Sequence, residues 1–261
     1  MTEMSRLQAV GVQVDGSGRV FDYVPRLVDA NLNYLIREAI PRRADWNRSA
    51  WWTAGPITDQ GSEGACVGHG VVQEYLSSPV RGRLAPHQPR NHAANLLALS
   101  VYNRAKEIDE WEGVDYDGTS VRAGLLVGRE KGWWNGFYWA KNLDDVLIAL
   151  QTPEEEGGGP VIIGVEWREG MYKTSPGGLV VPGGPVVGGH CLLITGFSPR
   201  YRMSSWSKNG AQPMFRWRNS WGPDYGKNGN GYITPEHLDE VLFQARGEAA
   251  VVTQRQLGLA A

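Results

Sequence analysis

The residues best placed to do chemistry begin in Thr58-Asp59-Gln60-Gly61-Ser62-Glu63-Gly64-Ala65-Cys66, a Gly-rich loop that runs into the apolar segment Val71-Val72-Gln73-Glu74-Tyr75-Leu76. The pattern predicts a helix that opens at Cys66 and ends before Pro79. The first N–H groups of a helix lack intrahelical partners and carry partial positive charge, which favours a thiolate over a thiol. Cys66 is therefore poised as a nucleophile. The side-chain amide of Gln60, six residues upstream, is a candidate to join the Cys66 backbone N–H in binding a developing oxyanion.

A nucleophilic thiolate needs a base, and the base needs an orienting partner. Val186-Val187-Gly188-Gly189-His190-Cys191-Leu192-Leu193-Ile194 puts a histidine at the start of a buried-strand pattern. Downstream, Arg218-Asn219-Ser220-Trp221-Gly222 carries an asparagine and an aromatic cover ahead of a Gly-rich loop. Gln60, Cys66, His190 and Asn219, in that order and with these surroundings, resemble the papain family of cysteine peptidases, closest in pattern to its disulfide-poor bacterial or phage members. The resemblance implies a cysteine endopeptidase acting on polypeptide or peptide substrates without metal or organic cofactor. In it Cys66 is the nucleophile, His190 the base, Asn219 the orienter of His190, Gln60 an oxyanion donor, and Trp221 a shield over the His190–Asn219 hydrogen bond. Gly118-Thr119 would line the substrate cleft, although the same residues also read as a simple turn and helix cap. Gly189, which adds no side chain beside His190, suggests a roomy second subsite. Three positions depart from the family pattern: Glu63 stands where papain itself has a disulfide-bonded cysteine, Val67 where tryptophan is usual, and Cys191 where alanine is frequent.

Three other readings stay open on the residues alone. Cys66-x-x-His69 with His190-Cys191 can be written as four zinc ligands, although neighbours on a strand point to opposite faces and would rarely reach one ion. A papain-type fold can also be a catalytically silent binding component, or a hydrolase of peptidoglycan peptides, since Cys–His chemistry cleaves any accessible amide.

The elements that must position these residues read as helices first and strands second, an α+β pattern. Helical periodicity covers Ala93 to about Glu107, Val121–Lys131 after the turn Asp115–Ser120 and ending at Gly132, and Asn142–Leu150 with Asp144 and Asp145 in its first turn. Strand patterns follow at Val161–Trp167, His190–Thr195, Met214–Arg218 and Gly231–Thr234, with Ser175–Gly189 read as a surface loop. Gln151–Pro160 is the clearest shift in composition and is the expected boundary between a mainly helical left lobe (about 41–150) and a β-rich right lobe (about 151–245), the cleft lying between them, with a C-terminal tail beyond. Residues 1–40 read as a hairpin followed by a helix around Asp29–Ala39, expected to act as a strap on the catalytic domain and too short for a full inhibitory propeptide.

The chain has 261 residues, enough for one large domain, and a formal net charge of −2 with interspersed signs, which disfavours nucleic acid and anionic membranes as partners. No apolar h-region follows the N-terminus and no run of about 18 apolar residues occurs, so neither a secretory signal nor a membrane span is expected, and a cytoplasmic or virion-associated setting fits. With only two cysteines there is no disulfide framework. Because Cys191 should face away from the cleft when His190 faces into it, both thiols are expected to titrate as free after denaturation of fresh protein; a bridge between them found by mass spectrometry would contradict this geometry.

Overall fold

The computed structural model describes residues 43–77, 91–113, 115–203 and 210–255, so the readings of residues 1–40 and of most of Ser77–Pro89 lie outside the described residues. Among the described residues the helices are α1 (Cys66–Tyr75), α2 (Asn91–Ile108), α3 (Val121–Glu130), α4 (Leu143–Gln151) and α5 (Pro235–Leu242). The strands are β1 (Ala50–Trp51), β2 (Trp134–Ala140), β3 (Val161–Arg168), β4 (Val186–Tyr201), β5 (Gln212–Arg218), β6 (Asn230–Ile233) and β7 (Glu248–Arg255). All pairs of named strands are antiparallel, in the order β2-β7-β3-β4-β5-β6, with β1 also pairing β4. The fold is α+β.

Local chemistry explains the helix ends. Ser120 caps α3 by accepting from Ala123 N–H at 3.0 Å, and Asn142 caps α4 by accepting from Asp145 N–H at 2.9 Å. In α5, Thr234 accepts from His237 N–H and Pro235 supplies the pre-set first helical φ. Helix α1 has no solvent-exposed face, since every one of its residues is buried, and its polar residues His69, Gln73 and Glu74 are buried with the rest. Its approach to α2 requires a glycine: a Cβ on Gly68 would lie 2.2 Å from Ala98 O and 3.0 Å from Tyr102 Cβ.

The sheet divides two cores by strict alternation. Ile162, Cys191, Leu193, Ala250 and Val252 face α1 to α3. Their neighbours Val161, Ile163, Leu192, Ile194, Ala249 and Val251 face α4, α5 and an aromatic group of Trp167, Trp217, Trp221 and Tyr225. Three features go beyond the sequence reading. Strand β4 is longer than His190–Thr195, because Val186–Gly189 already pairs with β3 and is strand rather than loop. Strand β2 precedes the expected lobe boundary, and its partner β7 occupies what was read as a tail. Helix α5 and strand β1 carry no counterpart in that reading.

Strand β7 is tied to α1 by an ion pair, Arg255 Nε to Glu74 Oε1 at 2.7 Å, with the side chains 2% and 1% exposed. Arg255 Nη1 also donates to Gly158 O at 2.7 Å. Burial pushes the Glu74 carboxyl up, and Arg255 pulls it back. Removing one partner would strand a buried charge, so Arg255→Met alone should lower unfolding free energy by about 3–5 kcal/mol. The double variant Glu74→Leu, Arg255→Met should cost clearly less, as measured by urea unfolding; a double variant as damaged as the single would contradict this assignment.

Candidate functional site

Cys66 is the first residue of α1, behind Ala65, which makes no side-chain cap, and no acidic residue stands in the first turn. No carboxylate within the first turn neutralises the partial positive charge of the helix start, which can stabilise an anionic sulfur at Cys66. Cys66 Sγ accepts a hydrogen bond from the Cys191 backbone N–H at 3.1 Å. The sulfur is therefore held against the residue that follows His190.

The His190 tautomer follows from a chain of donors. Asn219 Oδ1 accepts from Ser220 N–H at 2.7 Å, which identifies that atom as the amide oxygen. His190 Nε2 lies 2.7 Å from the same oxygen and so must donate. In the neutral ring the lone pair then belongs to Nδ1, which is the atom able to take a proton. The ring sits between Trp167 (centroids 4.9 Å, edge-on) and Trp221 (4.7 Å, tilted), with Tyr172 stacked on Trp221. Those rings exclude water from the His190–Asn219 bond, which strengthens it. Alternation puts Cys191 on the other face, its Sγ against Gly70 of α1, and no disulfide joins Cys66 to Cys191.

Gln60 is held by the segment that carries Asn219. Its backbone N–H donates to Ser220 O at 2.8 Å, its Oε1 accepts from Ser220 Oγ at 2.5 Å, and Nε2 donates to Glu63 O at 2.9 Å. Asp59 bridges Trp221, and Gly222 N–H donates to Thr58 O at 3.0 Å. Gln73, on α1, donates to both Thr58 Oγ1 (2.7 Å) and Asn219 O (3.1 Å). Gln60, Cys66, His190, Asn219 and Trp221 are thereby brought together. Gly189 lies in β4 opposite Glu166 and is buried. Gly118 and Thr119 lie in the turn before α3, where Gly118 N–H donates to the Tyr102 hydroxyl at 3.1 Å. Thr119 is fully buried with its hydroxyl donated to Asp109. Cys66, His190 and Asn219 are at 0% exposure and Gln60 at 5%, so these four side chains are enclosed in this conformation.

The sequence reading gave no part in the site to Trp167 or Gln73; Thr58, Asp59 and Ser220 stood in the quoted motifs, but only the contact between the two segments gives them a part. The four-ligand zinc arrangement does not form: His190 and Cys191 face opposite ways, and no group of three or more His, Cys, Asp or Glu among the described residues is disposed to hold a metal ion.

No protein-family model and no curated protein matches the chain. Among solved structures the chain is similar to xylellain, a cysteine protease from Xylella fastidiosa, with a TM-score of 0.54 at 16% identity over 90% of this chain and 96% of that one. It is similar to digestive procathepsin L 3 of Tenebrio molitor larval midgut, with a TM-score of 0.51 at 16% identity over 97% of this chain and 79% of that one. A third is the bromelain protease from Ananas comosus in complex with the E64 inhibitor, with a TM-score of 0.51 at 12% identity over 83% of this chain and all of that one (100%). At these identities the likeness is one of fold.

His69, three residues past Cys66, is fully buried with no hydrogen-bond partner on either ring nitrogen. Burial, reinforced by the nearby His190, pushes its pKa down from 6.5 to about 3. The sign follows: the unfolded chain takes a proton below pH 6.5 that the folded state refuses until about pH 3. Stability is therefore fully present above 6.5 and falls across that window, by about 1.4 kcal/mol per pH unit from this residue. His69→Phe should remove that component and leave stability at pH 7 unchanged or raised, since an unsatisfied polar ring gives way to an apolar one. Parallel stability profiles for the two proteins between pH 6.5 and 4 would show that His69 does not stay neutral.

Proposed function

We propose that this papain-like fold is a cysteine endopeptidase, cleaving polypeptides through an acyl-enzyme intermediate. The observation that carries the reading is the single arrangement in which Asn219 Oδ1 sets the His190 tautomer while the adjacent Cys191 N–H holds Cys66 Sγ at the start of α1. Of the solved structures of similar fold, one is described as a cysteine protease and another as the bromelain protease, and both support the same chemistry.

In this reading His190 Nδ1 takes the Cys66 proton. The thiolate adds to the scissile carbonyl carbon, forming the C–S bond, and the carbonyl oxygen becomes an oxyanion near the Cys66 backbone N–H and Gln60 Nε2. Collapse breaks the C–N bond, and the imidazolium gives its proton to the leaving amine. Water, deprotonated by the same imidazole, then releases the acid and restores the thiol. Asn219 keeps the ring oriented through both steps, Trp221 and Trp167 keep water from that bond, and Gly118, Thr119 and Gly189 border the peptide. No step calls for a metal or an organic cofactor.

The complete burial of Cys66, His190 and Asn219 favours a second reading, a catalytically silent component that keeps the fold for binding. One experiment separates the two. The wild-type chain is treated with iodoacetamide at mildly acidic pH and with an epoxysuccinyl peptide, and its cleavage of a diverse peptide library, muropeptides included, is followed. The peptidase reading expects rapid modification at Cys66 and turnover that Cys66→Ala abolishes. Asn219→Ala should keep partial turnover, with kcat reduced about 10- to 1000-fold, because nucleophile and base remain. Neither labelling nor turnover, with native folding verified, would overturn the peptidase and leave the binding component.

A further inference from the structure

On the helical side of the site, one side chain connects the nucleophile helix to the turn before α3. The backbone and Cβ of Tyr102, in α2, press on Gly68, two residues past Cys66. The Tyr102 hydroxyl accepts from Gly118 N–H at 3.1 Å. Tyr102 thus joins the turn 117–119 to the first turn of α1, the helix that opens at Cys66. Gly118 has φ +94°, a conformation that an L side chain rarely adopts and that glycine takes without strain, so the turn is shaped for this residue.

The contacts around this turn converge on one carboxylate. Asp109, just beyond the end of α2, accepts from Tyr116 OH at 2.5 Å and from Trp111 N–H at 3.1 Å through Oδ1, and from Thr119 Oγ1 at 2.8 Å through Oδ2. Tyr116 and Thr119 flank Gly118 on both sides. Burial, with Asp109 beside it, pushes the Tyr116 phenol up, so it remains a donor. Lys106 Nζ donates to Tyr116 O and lies 4.9 Å from the Tyr116 ring centroid. Next along, Glu110 accepts from Ser120 Oγ and pairs with Arg122, fastening the start of α3 to the same loop.

We infer that Asp109 is a positioning residue for substrate, acting through Thr119 and Tyr116 to hold the helical rim of the cleft in the shape that receives an extended peptide. The inference rests on the peptidase reading for its substrate and on the contacts above for its geometry. Charge-assisted hydrogen bonds are the strong ones, and a carboxylate that accepts three of them can do what a covalent cross-link would do in a disulfide-free loop.

The test compares wild type with Asp109→Asn, which keeps the shape but loses acceptor capacity, and Tyr116→Phe, which removes one donor and is the milder change should the first fail to fold. KM for peptide substrates should rise about tenfold in Asp109→Asn, and less in Tyr116→Phe, with kcat nearly unchanged. Labelling of Cys66 by an epoxysuccinyl peptide should slow in parallel, while labelling by iodoacetamide, which does not touch the rim, should not. A KM at the wild-type value, or equal slowing of both reagents, would overturn the positioning role. Hydrogen exchange at the Gly118 amide provides a readout independent of turnover: protection should fall in Asp109→Asn. If wild type neither turns over nor labels, the peptidase reading fails by itself, and unchanged Gly118 protection in the variant would separately overturn the anchoring.

Discussion

Everything at this site depends on two segments 160 positions apart lying against each other in one register, Thr58–Gln60 and Asn219–Gly222. Backbone bonds from Gln60 N–H to Ser220 O and from Gly222 N–H to Thr58 O fix that register, and the Gln60–Ser220 side-chain bond repeats it at 2.5 Å. Gln73 then braces the joint from below by donating to a group on each side. One segment leads into the helix that bears Cys66 and the other begins with Asn219. A contact between loops thereby sets the relation between a helix and a strand, which neither element could set through its own hydrogen bonds. Buried amide and hydroxyl groups satisfied in this way are costly to separate, because each would be left without water to replace its partner.

The second constraint is the depth at which the imidazole is held. Trp167 and Trp221 enclose His190, and Trp167 also packs against Trp217 and Tyr225, so the aromatic residues form one continuous body behind the ring. Low local polarity strengthens the bond to Asn219 and makes any unpaired polar group nearby expensive. His69 is the instructive neighbour: burial, reinforced by His190, keeps its ring uncharged down to about pH 3 and neither of its nitrogens has a partner, whereas His190 Nε2 has the Asn219 oxygen.

Much of this was legible in the residues. The start of α1 at Cys66, the turn and cap ahead of α3, the helix over Asn142–Leu150, and strands at Val161, Met214 and Gly231 follow from local signals that need nothing but neighbours in sequence. The α+β class follows from their order. Strand β2 escaped because Trp134-Asn135-Gly136-Phe137-Tyr138-Trp139 is half-buried along most of its length and shows no period of two. Strand β7 escaped because the Ala249–Val252 run, buried on both faces, looks the same whether strand or helix. Helix α5 escaped because its eight residues, Pro235–Leu242, are too few to establish a helical period. Within the site, the residue types were readable and the braces were not. Gln73 pairs across 146 positions and Ser220 across 160, and such partners exist only once the chain is folded. Trp167 likewise became recognisable only when β3 brought it beside His190.

The alternation along β4 has an evolutionary consequence. His190 and Cys191 occupy consecutive positions on opposite faces, the imidazole toward the tryptophans and the thiol toward α1. Insertion of a single residue in the Gly188-Gly189 stretch, if the strand kept its pairing beyond that point by slipping, would exchange the two faces and present a thiol to the Asn219 side and an imidazole to the packed helix. The spacing between strand β3 and that glycine pair is consequently a frame that tolerates substitution far more readily than a change of length. Length variation in descendants of this chain should therefore accumulate in the turns outside the ladder, leaving the approach to His190 uniform in count even where its residues differ.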